Sequence, residues 1–553
     1  MDNGINSEGP GNRPWGNLNV ANDNPYTTTP ETGVTRTYEW NITRETIAPD
    51  GYEKSVILVN EQFPGPLIEA NWGDWIEVKV TNQIEDVGEG TAIHWHGLMQ
   101  EGRPFMDGVP GVSQCPIAPG SNFTYRFQAG LYGTSWYHSH YSAQYSGGLF
   151  GPMVIHGPNS VDYDIDVGPI LVGDWWHHDY FDVVSNIMAP NFAGRSFSDS
   201  NLINGKNNFN CSSKPENDTT PCTDNAGVAK FNFQSGKTHR LRFINSGSQG
   251  IERISIDGHT MTVIANDFVP IQPYNTTVVT LGVGQRTDVI VTADASASDS
   301  SYWLRANLTS CSGALAPDAV AAIFYEDADI NAEPTSTPWD VADPGNCAND
   351  ALEDTVPLFS IELPEPTWTQ HMDIGTFINK TGHFLWTFGG VAARVDYNNP
   401  TLLQAAQGNF TFAEEMNVIN FGTNSSIRLI INNPTKAPHP IHAHGLNMFI
   451  LADGPGNYSD NTDFVRTSNP MRRDVQNVRP EGHIVVQLES NNTGVWPFHC
   501  HIAWHASSGF FSQFMFNPDG IADLDFPDSI QETCNDWGSY TGSEAPNQID
   551  SGL

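Results

Sequence analysis

Trp75-Ile76-Glu77-Val78-Lys79-Val80 alternates apolar and polar side chains from Ile76 onward. Successive side chains of a β-strand point to opposite faces, so this hexapeptide is a strand with one apolar face. Similar short runs recur at Arg240-Leu241-Arg242-Phe243, at Gly151-Pro152-Met153-Val154-Ile155-His156 and at Ser255-Ile256-Asp257-Gly258-His259, the last with an Asp-Gly turn signal. Gly 50 and Pro 37 are spread between such runs, and few stretches carry a helical apolar stripe. Short strands broken by turn residues along the whole chain predict an all-β protein built from antiparallel sandwiches.

A chain of 553 residues is too long for one core. Gly157-Pro158-Asn159-Ser160 follows a strand-like run, and Ala332 to Pro357 is acidic and Pro-rich like a linker. These breaks divide the chain into 1–159, 160–340 and 341–553, with an irregular arm over roughly the first forty residues.

Asp plus Glu number 63 against Lys plus Arg 25, a balance that repels nucleic-acid phosphates and anionic lipid and suits an extracellular medium. No apolar stretch reaches the roughly 20 residues of a membrane helix. Eleven N-glycosylation sequons, at Asn41, Asn122, Asn210, Asn217, Asn275, Asn307, Asn379, Asn409, Asn424, Asn457 and Asn491, beside six cysteines that can pair point to a secreted, extracellular glycoprotein. Heavy glycosylation favours a monomer. Met1-Asp2-Asn3-Gly4 has no basic-then-apolar pattern, which reads as a processed or re-engineered start. Seven cysteines demand one exception to pairing, and Cys500, set between two histidines, is the natural one.

Ten of the 18 histidines fall in four clusters: His94-Trp95-His96, His138-Ser139-His140, His439-Pro440-Ile441-His442-Ala443-His444, and His499-Cys500-His501 followed by His505. On a strand each His-x-His delivers two imidazoles to one face. Alternation sends Cys500 to the face opposite His499 and His501, so one segment serves two sites. Cys500, His505 and His439, whose parity differs from that of His442 and His444, form a thiolate-plus-two-imidazole set of the blue-copper type. The eight remaining imidazoles, too many for one ion, suit three. His156, His177, His178, His239, His259, His371, His383 and His483 are expected to be structural.

In order and spacing these clusters resemble the four copper signatures of the multicopper oxidases. Asn204-Gly205-Lys206, Asp174-Trp175-Trp176 and the final Asp550-Ser551-Gly552-Leu553 extend the resemblance, over nearly the whole chain, to the ascomycete laccases. The resemblance implies three sequential cupredoxin-like Greek-key β-sandwich domains and four copper ions. The type 1 copper would lie on His439, Cys500 and His505, and the type 2 on His94 and His442. The type 3 pair would lie on His96, His138, His140, His444, His499 and His501. It implies one-electron oxidation of small phenolic or aromatic reductants near His505 or His439, coupled to reduction of dioxygen to water, with a ferroxidase as the alternative. A copper-storage protein without turnover would not need all four motifs.

Further roles follow from the same likeness. Phe510, ten residues past the cysteine, takes the axial position and cannot coordinate, which raises the potential. Asp74 matches a carboxylate near the type 2 copper and is expected to donate protons or else to cap a turn. Asp474 is expected either to orient a type 1 histidine or to form a salt bridge. Ala189, Pro190, Phe384 and Trp386 would line the substrate pocket. Where many fungal laccases place a carboxylate this chain has Gln249, with Glu252 three residues out of register. The resemblance pairs Cys115 with Cys534 and Cys311 with Cys347, leaving Cys211 with Cys222, and implies that the C-terminal tail plugs a channel to the cluster, if it is not frayed.

Overall fold

The computed structural model describes residues 13–84, 88–194, 196–296, 300–459, 463–542 and 548–553. The first twelve residues of the expected arm lie outside them; residues 13–34 precede the first strand without regular structure, although Trp15 is buried.

Trp75–Asn82 is the predicted strand. Ile76, Val78 and Val80 are buried while Glu77 and Lys79 face outward, as a period of two dictates. It pairs in parallel with Thr35–Ile47 and antiparallel with Asn122–Gln128. With Lys54–Val59 these strands form one sheet, and Ile68–Asn71, Phe150–His156, Gly133–Ser139 and Ile93–Trp95 form the other. A six-stranded and a five-stranded sheet, with strands between Ile165 and Phe324, make the second sandwich. Two five-stranded sheets and the hairpin Ile374–Ile378/Phe384–Phe388 make the third. The chain is all-β, with three cupredoxin-like sandwiches in sequence.

Two of the expected strands have surroundings that the sequence does not show. Thr238–Asn245 is a strand, but both its faces are buried. Arg242 reaches across to the first sandwich, donating to Thr134 Oγ1 at 2.9 Å, and it is neutralised by Asp166 and Asp288. Its polarity marks an interface rather than solvent. Asp257-Gly258 joins Glu252–Ile256 to Met261–Asn266, yet these strands pair in different sheets, so the turn is a sandwich corner and not a hairpin.

The longest helix, Asp528–Thr541, packs Ile530 and Trp537 inward and carries Cys534, which is bonded to Cys115. Cys311–Cys347 and Cys211–Cys222 are the other disulfides, and Cys500 is the free cysteine. The acidic stretch from Ala332 to Pro357 has no helix or multi-residue strand but is pinned: Gln285 Nε2 donates to Asn349 Oδ1 at 2.8 Å, and Asn349 Nδ2 to the Asn477 carbonyl at 3.1 Å. Among the described residues no helix is long and apolar enough to cross a membrane.

Candidate copper centre

Two antiparallel strand pairs assemble the histidines. Ile93–Trp95 lies beside Gly133–Ser139 with His94 opposite His138, and His439–Ala443 lies beside Gly494–Cys500 with His442 opposite His499. The first pair belongs to the first sandwich and the second to the third. Where they meet, eight imidazoles converge and all are buried.

Hydrogen bonds fix which ring nitrogen faces inward. His442 Nδ1 donates to the Asp474 carbonyl, His138 Nδ1 to the Ser139 carbonyl and His499 Nδ1 to the Cys500 carbonyl, each at 2.9 Å. Asp107 receives both His94 Nδ1, through its carbonyl at 2.9 Å, and His444 Nδ1, through Oδ2 at 2.9 Å. These five rings present an unprotonated Nε2 to the interior. His96 is reversed, since its Nε2 donates to Asp474 Oδ1 at 3.1 Å and its Nδ1 faces His501 Nε2 at 3.3 Å.

The result is a set of lone pairs aimed at one another. His444 Nε2 and His499 Nε2 lie 2.9 Å apart with both protons committed elsewhere, and His94 Nε2 and His442 Nε2 lie 3.5 Å apart. His138 Nε2 and both ring nitrogens of His140 have no hydrogen-bond partner among the described residues. Burial and the neighbouring imidazoles hold His96, His138, His140, His442, His444 and His501 well below ordinary histidine basicity, and burial takes His499 down to about 4. Neutral acceptors in close opposition repel unless cations lie between them, and the donor set fits copper.

On the other face of the Gly494–Cys500 strand, Cys500 Sγ lies 3.6 Å from His439 Nδ1 and 3.6 Å from His505 Nδ1, which are 3.1 Å from each other. Thr435 Oγ1 bonds His439 Nε2 at 3.2 Å and so turns Nδ1 toward the sulfur. Burial takes His505 down to about 3 and pushes the Cys500 thiol up, so ionising the sulfur requires an adjacent metal. Phe510 is fully buried against His439, with ring centroids 4.9 Å apart, and offers no donor.

Of the two roles expected of Asp74 and of Asp474, the structure shows the turn cap and the salt bridge. Asp74 sits in the turn before Trp75–Asn82, where it accepts from Arg36 Nε at 2.8 Å, Thr32 Oγ1 at 2.6 Å and the Asn71 amide at 3.0 Å. It caps a turn and does not touch the histidines. Asp107 does, and its signal in the sequence is a lone carboxylate in the apolar run Phe105-Met106-Asp107-Gly108-Val109-Pro110 just after His96. Gly108 lets this run press against the His94 strand, because a Cβ there would meet the Ile93 carbonyl at 1.7 Å. Asp474 bonds His96 and His442 of the cluster rather than a type 1 histidine, and it also forms a salt bridge with Arg286.

A cavity of about 480 Å³ opens at His505, walled by Phe192, Phe197, Gln249, Phe384, Trp386 and Lys436 among others. Trp386 packs its ring 4.4 Å from that of His505. Gln249 Nε2 is held by the Ser312 and Ser196 carbonyls at 2.6 and 3.2 Å. Ala189 and Pro190 are not in this wall; Pro190 sits beside Gly382 at the hairpin tip, and Phe192 and Phe197 of the same loop line the cavity instead. Glu252 is not in it either, being fully buried under Asn201 Nδ2 at 3.2 Å with its carboxyl pushed well up by burial. Leu553 is buried in a small cavity with His138, His140 and His499, and Asp550 accepts from Ser142 Oγ at 2.6 Å. Outside the clusters His156, His177 and His259 bond Glu69, Asp50 and Tyr325.

Multicopper oxidase family models match residues 41–160, 166–328 and 393–520. Laccase-2 of Botryotinia fuckeliana is 37% identical over 551 residues, covering 98% of this chain and 92% of that protein. The crystal structure of the laccase from Botrytis aclada superposes with a TM-score of 0.89 at 37% identity, over 98% of each chain. Fet3p, described as a multicopper oxidase that functions in iron import, superposes at 0.82 with 25% identity, over 93% of this chain and 98% of that one. With its donor sets and its three sandwiches matched along the chain, this protein belongs to the multicopper oxidase family.

Proposed function

We propose that this chain is a laccase, oxidising phenolic and related aromatic compounds one electron at a time at the His505 edge and reducing dioxygen to water at the eight-histidine cluster. One observation carries the choice of substrate. Among its described lining residues the cavity at His505 has aromatic and small polar side chains and no carboxylate, whereas a site for ferrous iron needs hard oxygen ligands. A ring-lined cavity with a few polar groups is the kind that takes an aromatic molecule.

In this reading His439, Cys500 and His505 hold the type 1 copper, His94 and His442 the type 2, and His96, His138, His140, His444, His499 and His501 the type 3 pair. Copper, when bound, supplies the one-electron redox chemistry that joins single-electron donors to the four-electron reduction of dioxygen. The chain's own residues do the rest. Trp386 and Phe384 hold a ring against His505, and the bonded segment His499-Cys500-His501 joins the two donor sets. Asp107, within hydrogen-bond reach of His94 and His444, is the group placed to move protons at the cluster.

The domain boundaries proposed are 1–159, 160–340 and 341–553. Nine of the eleven sequon asparagines are exposed and Asn379 and Asn424 are half-buried, which supports a secreted, glycosylated monomer. The test compares oxygen uptake by copper-loaded protein on a methoxyphenol and on ferrous ion, with Cys500→Ser as control. Uptake on the phenol, abolished along with the blue absorption in C500S, is expected. Uptake on ferrous ion alone would replace the laccase with a ferroxidase.

A further inference from the structure

We infer that the cavity selects phenols bearing an anionic substituent, and that Lys436 is the residue that selects them; this rests on the laccase reading and names its substrate class. Lys436 is exposed, lines the cavity and has no ion-pair or hydrogen-bond partner among the described residues. It is the one Lys, Arg, Asp or Glu side chain in the described lining. In a chain with 63 acidic and 25 basic residues, a solitary ammonium facing such a cavity runs against the overall charge.

The loop that carries it is fixed. Buried Asn433 donates through Nδ2 to the Ala437 and Arg479 carbonyls at 2.7 and 2.9 Å. Its Oδ1 receives the Thr435 amide and hydroxyl at 3.0 and 2.7 Å, and the Glu481 amide donates to the Thr435 carbonyl at 2.9 Å. The same loop runs into His439, so the backbone of Lys436 is set relative to the redox centre and only its side chain has to be ordered on binding.

Gln249 lines the same cavity, and its neutral amide adds no negative charge to oppose an anion. Long-range repulsion from the acidic surface is damped beyond about 8 Å at physiological ionic strength, while an ammonium in contact with the ligand is not. A phenol carrying a carboxylate at the far end of a short conjugated arm can set its ring against Trp386 and His505 and its charge on Lys436. A cationic analogue meets repulsion in the same pose.

The probes are sinapate, its neutral methyl ester and its cationic choline ester, which share one electron-rich phenol. Copper-loaded wild type and Lys436→Gln are compared in steady-state oxygen uptake at low and high salt. To separate binding from redox potential, non-oxidisable dimethoxycinnamate and its methyl ester serve as competitive inhibitors of methyl sinapate oxidation. Wild type is expected to show the lowest KM for the acid. K436Q is expected to raise that KM, and the inhibition constant of dimethoxycinnamate, about fivefold, the size of a contact worth about 1 kcal/mol, and to change the values for the neutral ester far less. High salt is expected to reduce the difference without erasing it, and Lys436→Glu to move the preference to the choline ester. Equal effects of K436Q on acid and ester, or no preference in wild type, would overturn the assignment of Lys436. Failure to oxidise the neutral ester would instead overturn the laccase reading beneath it.

Discussion

Asp474 grips Arg286 with both carboxylate oxygens, at 2.5 and 2.7 Å, while Oδ1 also receives His96 Nε2 at 3.1 Å. One carboxylate of the third sandwich thereby joins an arginine of the second to a histidine of the first, and sets the reversed tautomer of that histidine. All three groups are buried. Asp474→Ala removes the nearer of two carboxylates from a buried guanidinium, leaving Asp267 at 3.5 Å, and is expected to cost about 3 kcal/mol, measured by guanidinium denaturation, and to lower bound copper measured by elemental analysis. The double variant Asp474→Leu/Arg286→Met should recover part of the stability but not the copper.

Asp107→Asn keeps the shape and one acceptor while removing the charge between His94 and His444. Oxygen reduction should slow by about 10²-fold while KM for a phenol stays within error. Rapid mixing of pre-reduced protein with oxygen isolates that half of the cycle. A variant slowed equally in taking electrons from phenol would show that Asp107 only supports the fold.

Phe510→Met introduces a thioether beside the Cys500, His439 and His505 set. Electron donation by sulfur favours the cupric state, so the type 1 potential should fall on the order of tens of millivolts, as followed by redox titration of the blue band. An unchanged potential would mean that the side chain packs away from the metal.

Asp350 is held up to about 6 by burial, with Tyr274 Oη and the Thr280 amide each donating to it at 3.3 Å. A carboxyl raised in the folded state favours folding while protonated, so its contribution is complete near pH 4 and is lost as pH rises through 6. Asp350→Asn should match wild type near pH 4 and exceed it by about 1–2 kcal/mol at pH 7.5, a figure reduced for partial exposure. Thermal unfolding of both proteins across that range measures the difference.

Much of this was legible in the chain, because strand parity and His-x-His spacing are local. The split of Cys500 from His499 and His501 onto opposite faces follows from period two alone and appears in the structure as drawn. Contacts between distant segments were harder. Asp74 and Asp107 are both carboxylates near turns, and only the folded chain shows that one faces Arg36 while the other faces two imidazoles. Arg242 looked like a solvent-facing residue because alternation cannot distinguish water from a neighbouring sandwich. Glu252 is close to the pocket in sequence but its side chain is buried outside the cavity wall, since an odd shift along a strand turns a side chain to the other face.

The eight cluster imidazoles come in two halves, four from residues 94–140 and four from residues 442–501, and Cys115–Cys534 ties the first of these regions to the helix Asp528–Thr541 that follows the second. A chain interrupted after its first sandwich owns four of the eight cluster imidazoles and none of the Cys500 site. Such a fragment has no route to release aromatic radicals or partly reduced oxygen. Distributing one centre over both ends of the polypeptide thus makes reactivity a property that appears only when synthesis and folding are finished.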